Sequence, residues 1–240
     1  MDIHFSYRYD QNILPDVATQ LQSLWRTAVL LDQVGVPIAD WCPPADTPEN
    51  ALRNKAFEDD GPSKAALAIF KKEDKDRDEM DVRSMLIWNG LLEEGSILMS
   101  HTLVVRDYPS KSSFSLRFKS VPALMEKSRM IQVIKGLLGI WPAPFISVTN
   151  PRYDVIHKVF DDRPGVGWML YLPKVINASQ VPEAQALVPV EDSTGKQKGT
   201  IVVSVLDEPF SVQNEEHIKV ATSIEIRLVE QDLLPRRSEM

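Results

Sequence analysis

The sequence predicts an α+β protein, mostly antiparallel sheet with flanking helices. Three observations lead there. The first residues alternate strictly, with Ile3, Phe5, Tyr7 and Tyr9 on one side and Asp2, His4, Ser6 and Arg8 on the other, the period of a half-buried strand. Three strand-like runs then follow one another through short connections, at about 82–88, 96–106 and 113–119, and close on an amphipathic helix over 122–138. Finally, the order strand, helix, three strands, helix recurs in the second half, so each half reads β-α-β-β-β-α. Consecutive strands joined by few residues pair antiparallel, which sets the class.

Each element has its own local cause. Pro15 and Asp16 open a first helix, since Pro suits the first turn and Asp suits the positive end. Val17, Leu21, Leu24, Ala28 and Leu31 recur on one face of it, and Gly35 with Pro37 ends it. A Pro-rich connection over 35–48 carries Trp41-Cys42-Pro43-Pro44. Thr47-Pro48-Glu49 starts a short helix, and another follows Pro62-Ser63 and runs out into the charged stretch 71–81. Asn89-Gly90 separates the first two strands of the trio, and Phe114, Leu116 and Phe118 alternate in the third. In the second half, strands are expected at 144–149, 166–172, 186–191 and 199–206, with helices at 152–160 and 214–232. The expected domains are residues 1–140 and 141–240, as two α+β halves or as one unit.

Bulk composition narrows the function. The chain has 240 residues, 43% of them hydrophobic and 25% charged, enough for a sizeable core without low-complexity sequence. A formal net charge of −7 disfavours nucleic acid and anionic membrane as partners, because phosphate binding needs a basic face. One cysteine, Cys42, allows neither an internal disulfide nor a Cys-cluster metal site. The opening MDIHFSYRYD lacks the basic and apolar regions of a signal peptide, and no apolar run reaches the roughly 18 residues of a membrane span. A cytoplasmic location is the expectation.

The search for chemistry finds fragments of motifs rather than whole ones. Asp74, Asp76 and Asp78 match the first ligands of a calcium loop, but Glu79 stands where the turn needs Gly and Met85 where the bidentate Glu belongs. Asp16 with Glu73-Asp74-Lys75 echoes the carboxylates and lysine of restriction-endonuclease-like sites, without the adjoining strands that such a site uses to share a metal. His4, His101, His157 and His217 are scattered and follow no metal-binding spacing. Gly165-Val166-Gly167 lacks the third glycine of a dinucleotide fingerprint, and Gly195-Lys196 is no Walker motif. No cofactor is expected, and the chain reads as a non-enzyme. The acidic clusters Glu58-Asp59-Asp60, Glu93-Glu94 and Asp161-Asp162 are the candidate partner-binding residues, because together they can present negative potential to a basic protein.

One segment is recognisable. Asp154-Val155-Ile156, then Arg163-Pro164-Gly165-Val166-Gly167-Trp168-Met169-Leu170-Tyr171-Leu172-Pro173, resembles the bacterial immunity protein 52 family, with Gly167–Pro173 its specific part. The opening strand and helix, the length and the closing helix after Thr200–Phe210 also suit that family. The resemblance implies an antidote that binds and neutralises a cognate toxin with a restriction-endonuclease-like nuclease domain, made by the same cell. It brings no catalytic motif. Within the segment, Trp168, Leu170 and Leu172 alternate against Met169 and Tyr171, a strand apolar on both faces and therefore expected in the core. Two other readings are a metal-dependent hydrolase with a composite site using His101, His157 and nearby carboxylates, and a two-sided adaptor that binds one protein through each half.

Overall fold

The principal sheet has eight strands in the order β4-β5-β6-β1-β7-β8-β10-β9, where β1 is Asp2–Tyr7, β4 Val82–Trp88, β5 Ile97–Val104, β6 Ser112–Phe118, β7 Ile146–Thr149, β8 Met169–Leu172, β9 Ala186–Glu191 and β10 Gln197–Val203. The description comes from a computed structural model and covers residues 1–76, 81–106 and 108–240. A two-residue hairpin, β2 (Phe57–Glu58) with β3 (Gly61–Pro62), forms a second, minimal sheet. The helices are α1 (Val17–Asp32), α2 (Pro48–Ala51), α3 (Lys64–Lys75), α4 (Pro122–Met125), α5 (Lys127–Leu137), α6 (Pro151–Ile156) and α7 (Glu215–Glu230). The α+β class and the antiparallel pairing agree with the sequence reading. The second half has the element order β-α-β-β-β-α, whereas in the first α2, the β2–β3 hairpin and α3 stand between α1 and β4 and two helices close it. The pairing order differs too: β1 is followed outward by β6, β5 and β4, whereas β7 is followed by β8, β10 and β9.

The chain divides into two compact units, one of Met1–Phe5, Met125–Lys135 and Ala143–Met240, the other of Ser6–Leu124 and Gly136–Pro142. In the second unit α1 starts where the sequence places it. The Asp16 carboxylate accepts the Thr19 N–H at 2.6 Å, and Val17, Leu21, Leu24, Ala28 and Leu31 are all buried. Thr47 and Ser63 cap α2 and α3 in the same way. β4, β5 and β6 bury alternate residues, among them Met85, Ile87, Met99, Phe114 and Leu116. Asn89 shapes the β4–β5 connection: its amide donates to the Gly95 carbonyl at 2.8 Å and its side-chain oxygen accepts the Ile97 N–H at 2.8 Å.

Two expectations change. The helix expected over 122–138 is two helices, because the Glu126 carboxylate accepts the N–H groups of Ser128 and Arg129 at 2.8 and 3.0 Å and so caps a fresh start at Lys127. The hairpin β2–β3 had no periodic signal, since two residues per strand are too few for one.

In the first unit β8 lies between β7 and β10, and Trp168, Met169, Leu170, Tyr171 and Leu172 are all buried. A strand with covered faces and two bonded neighbours needs apolar residues at every position, which accounts for the lost alternation. Trp168 donates its indole N–H to the Val205 carbonyl at 3.1 Å, so its one polar atom is satisfied. Gly167 has φ +50°, and a Cβ there would lie 2.5–2.8 Å from the side chain and Cα of Thr149. Gly167→Ala therefore combines backbone strain with overlap against a neighbouring strand and should cost about 2–4 kcal/mol. Urea unfolding would show it as a lowered midpoint, whereas Gly195→Ala, in open space, should cost only the left-handed backbone strain.

Candidate partner-binding surface

The buried polar groups come first, since a catalytic centre would be found among them. Glu225, on α7, is wholly buried. One carboxylate oxygen accepts the Tyr153 hydroxyl at 2.7 Å and the Val166 N–H at 2.9 Å, and the other accepts the Val159 N–H at 2.8 Å. Burial pushes its pKa up, and the two backbone donors and Tyr153 pull it back. The carboxylate is thus a hub holding the 157–167 connection to α7, with its acceptor sites taken by the fold. The sequence did carry a signal for it. Position 225 falls on the stripe of Ala221, Ile224 and Leu228, where a lone acidic residue must be buried.

Asp154 lies near this hub: a Cβ on Gly165 would sit 2.6 Å from the Asp154 carboxylate and 3.5 Å from that of Glu225. Burial raises the Asp154 pKa to about 6 against the pull of Lys158 and Arg237, and one of its oxygens is buried without a hydrogen bond.

Three of the four histidines are also in structural use. His101 is buried, pairs through Nε2 with the Tyr7 hydroxyl at 2.9 Å, and stacks edge-on against Trp141 at 4.5 Å. Burial, with Arg83 nearby, lowers its pKa to about 3, so the ring is neutral. His217 is buried: it stands four residues before Ala221 on the apolar stripe of α7. Its Nδ1 accepts the Ser211 N–H at 3.1 Å and its Nε2 meets Glu208 at 3.1 Å, which satisfies both ring nitrogens. His4 meets Phe145 edge-on at 6.1 Å, and burial lowers its pKa to about 4. Among the described residues no group of three His, Cys, Asp or Glu side chains is placed to hold a metal ion. Asp16, half of the nuclease-like echo, is spent on its cap, and Glu73 lies in α3. Of the calcium-loop positions, Asp78 and Glu79 fall outside the described residues. Cys42 is buried, bridges backbone to backbone with Trp88, and has its thiol pKa raised by burial.

The surface distinguishes the three acidic clusters. Lys119 pairs with Glu93 at 2.7 Å and with Glu94 at 3.8 Å, so that pair is half neutralised. Asp162 pairs with Arg236 at 3.5 Å, and the Asp161 carbonyl accepts from Lys158. Glu58, Asp59 and Asp60 are exposed at the turn of the β2–β3 hairpin, with no salt bridge among the described residues. The hairpin is tied down from below, where the half-buried Trp25 donates its indole N–H to the Glu58 carbonyl at 2.9 Å. Exposed apolar residues precede two of the clusters in sequence. Leu91 and Leu92 precede Glu93 and are 51% and 71% exposed, and Val155 and Ile156, on α6, are 85% and 59% exposed. Exposed aliphatic anchors with charged neighbours are the raw material of a protein interface rather than of a small-molecule site.

The geometry offers these surfaces, and comparison with known proteins gives them a context. Residues 16–237 match the model of the family described as immunity protein 52. The chain belongs to the immunity protein 52 family. Among solved structures it is similar to the Pseudomonas aeruginosa T6SS protein PA0821, at 9% identity and a TM-score of 0.52, over 93% of this chain and 75% of that one. At that identity the likeness concerns the fold. No curated protein matches. Family membership accords with the resemblance carried by 154–173, a segment that contains the Glu225-bound connection and the interior strand β8.

The buried Asp154 gives a pH prediction. Its folded pKa is raised, so between about 4 and 6 the folded chain binds more protons than the unfolded one, and this group's contribution to stability falls as pH rises through that window. Asp154→Asn should remove that loss. The variant should gain on the wild type by about 1–3 kcal/mol between pH 4.5 and pH 7 in paired urea titrations. A constant difference across that range would mean that Asp154 is ordinarily solvated.

Proposed function

We propose that this chain is an immunity protein that binds a cognate secreted nuclease-type toxin directly and neutralises it in the cytoplasm of the cell that makes both. The counterpart we infer is a type VI effector with a restriction-endonuclease-like domain, of the kind formed by TseT, whose immunity partner TsiT this chain resembles. The role in competition between bacteria follows from that pairing. Membership of the immunity protein 52 family, over residues 16–237, is the observation that carries the reading.

The chemistry supports it in two ways. A nuclease holds DNA through lysines and arginines that contact phosphates, and surface carboxylates can occupy the same cations. The acidic chain, at net charge −7, gains from that attraction at long range, where association is steered. Size sets a further condition. A stable complex buries on the order of 800 Å² on each partner, against 11905 Å² of surface here. No single acidic turn supplies that area, so Glu58, Asp59 and Asp60 act with further contacts, among which Glu93, Glu94, Asp161 and Asp162 are our candidates.

The test is co-expression with the product of the neighbouring effector gene, only one partner tagged. The expected result is a one-to-one complex and loss of the effector's toxicity. A harmless neighbour that fails to co-purify would overturn the reading. Given a complex, reversing Glu58, Asp59 and Asp60 to lysine should slow association on the order of tenfold at low salt, with the difference shrinking as salt screens it. Equal rates at low salt would remove that hairpin from the interface.

A further inference from the structure

The second unit holds an open groove of about 590 Å³ between the segment that carries α2 and the outer face of α3. Pro44, Ala45 and Ile69 supply its apolar lining, and Asp46, Glu73 and Asp76 its carboxylates; among the described residues Lys72 is its one cation. The described lining thus carries a net charge of −2, from three carboxylates and one ammonium.

The groove joins apolar surface to carboxylates without internal compensation. Several acidic side chains elsewhere do find cations: Glu93 and Glu94 have Lys119, Asp162 has Arg236, Glu183 and Glu230 share Arg227, Glu216 has Lys219 and Glu126 has Arg129. Among the described residues Asp46, Glu73, Asp76 and Lys72 enter no salt bridge. The Glu73 carboxyl is pushed up by partial burial. Apolar surface flanked by unneutralised carboxylates is complementary to a lysine or arginine side chain, whose methylene stem lies on the apolar part while its head reaches the carboxylates. The volume lies within the range of formed ligand sites, so it admits whole side chains and not just an ion.

We propose that this groove seats a lysine- or arginine-bearing segment of the cognate toxin, and that it is a principal anchoring site of the complex. The proposal rests on the immunity reading above and adds a location and a partner chemistry to it. Asp46, Glu73 and Asp76 take the cation from different sides, and Lys72 limits how much positive charge the groove accepts. Reversing a carboxylate should therefore weaken binding, and reversing Lys72 should strengthen it. A merely structural role for these exposed side chains would give neither the second effect nor the opposite signs.

The experiment measures association and dissociation of the full chain with an inactivated form of the neighbouring effector, at low and at high salt. Glu73→Lys should raise Kd at least tenfold at low salt, and Asp46→Lys with Glu73→Lys more. Lys72→Glu should lower Kd severalfold. Asp207→Lys, an exposed reversal in the other unit, changes net charge equally and should have less than a twofold effect. Thermal midpoints close to that of the wild type confirm that each variant folds. If the wild type binds and Glu73→Lys and Lys72→Glu bind as it does, the groove is overturned while the immunity reading stands. If Asp207→Lys loses as much as Glu73→Lys, net charge and not the groove is responsible, which also overturns the proposal. A wild type that neither binds nor neutralises the effector defeats the immunity reading, and the groove proposal with it.

Discussion

A carboxylate without water must have its oxygens satisfied, and in the first unit Glu225 imposes that requirement on everything around it. Leaving a buried charge unpaired costs several kcal/mol, so the three donors that reach Glu225 are conditions of folding rather than embellishments. Two of them, the Val159 and Val166 N–H groups, belong to an irregular connection that has no ladder or helix to bond with. The acid and the connection thus solve each other's problem. Glu225 gains donors, the loop gains an acceptor, and the path of 157–167 between α6 and β8 is defined. Gly165 belongs to the same solution, because the space a Cβ would need is taken by the carboxylates of Asp154 and Glu225.

This explains what kind of signature residues 154–173 form. Gly165 leaves room for two acids, Gly167 turns the chain against Thr149, Trp168 fills the interior with its indole N–H bonded, and 169–172 supply the buried strand. These are requirements of packing and polar satisfaction, so the segment serves the fold. The surfaces open to a partner are built from other residues. An immunity protein has reason to separate the two. A core held by dense mutual constraint changes slowly, whereas an exposed carboxylate can be exchanged at little cost in stability, and specificity for a particular toxin is a matter of such exchanges.

The legible part of the fold was that written in local periodicity and caps. Ile3, Phe5 and Tyr7, the α1 stripe, and the caps at Asp16, Thr47 and Ser63 each follow from a few neighbouring residues, and all appear where the pattern places them. The break at Glu126 was hidden because apolar periodicity runs through it, while a side chain reaching forward to two N–H groups decides the boundary. The burial of His217 follows from its phase with Ala221, Ile224 and Leu228, but the Ser211 N–H and Glu208 that satisfy its ring are not visible in that periodicity. For the candidate surface, the sequence displays every acidic cluster alike. Which clusters keep their charge depends on Lys119 lying 26 residues from Glu93 and Arg236 lying 74 residues from Asp162, a matter of tertiary geometry.

Net charge is accordingly a poor guide to where a partner binds, although it is a fair guide to what kind of partner binds. A carboxylate held by lysine at 2.7 Å contributes little field beyond a Debye length of about 8 Å, and displacing that lysine would cost an incoming cation part of what it gained. An unpaired carboxylate asks no such cost. Among the described residues of the second unit, acids without a salt bridge include those of the β2–β3 turn and of the groove beside α3, between positions 46 and 76. A cationic surface approaching the molecule would be drawn to these positions before the compensated ones, whatever their share of the acidic total. The arrangement gives direction to an attraction that the net charge of −7 leaves without one.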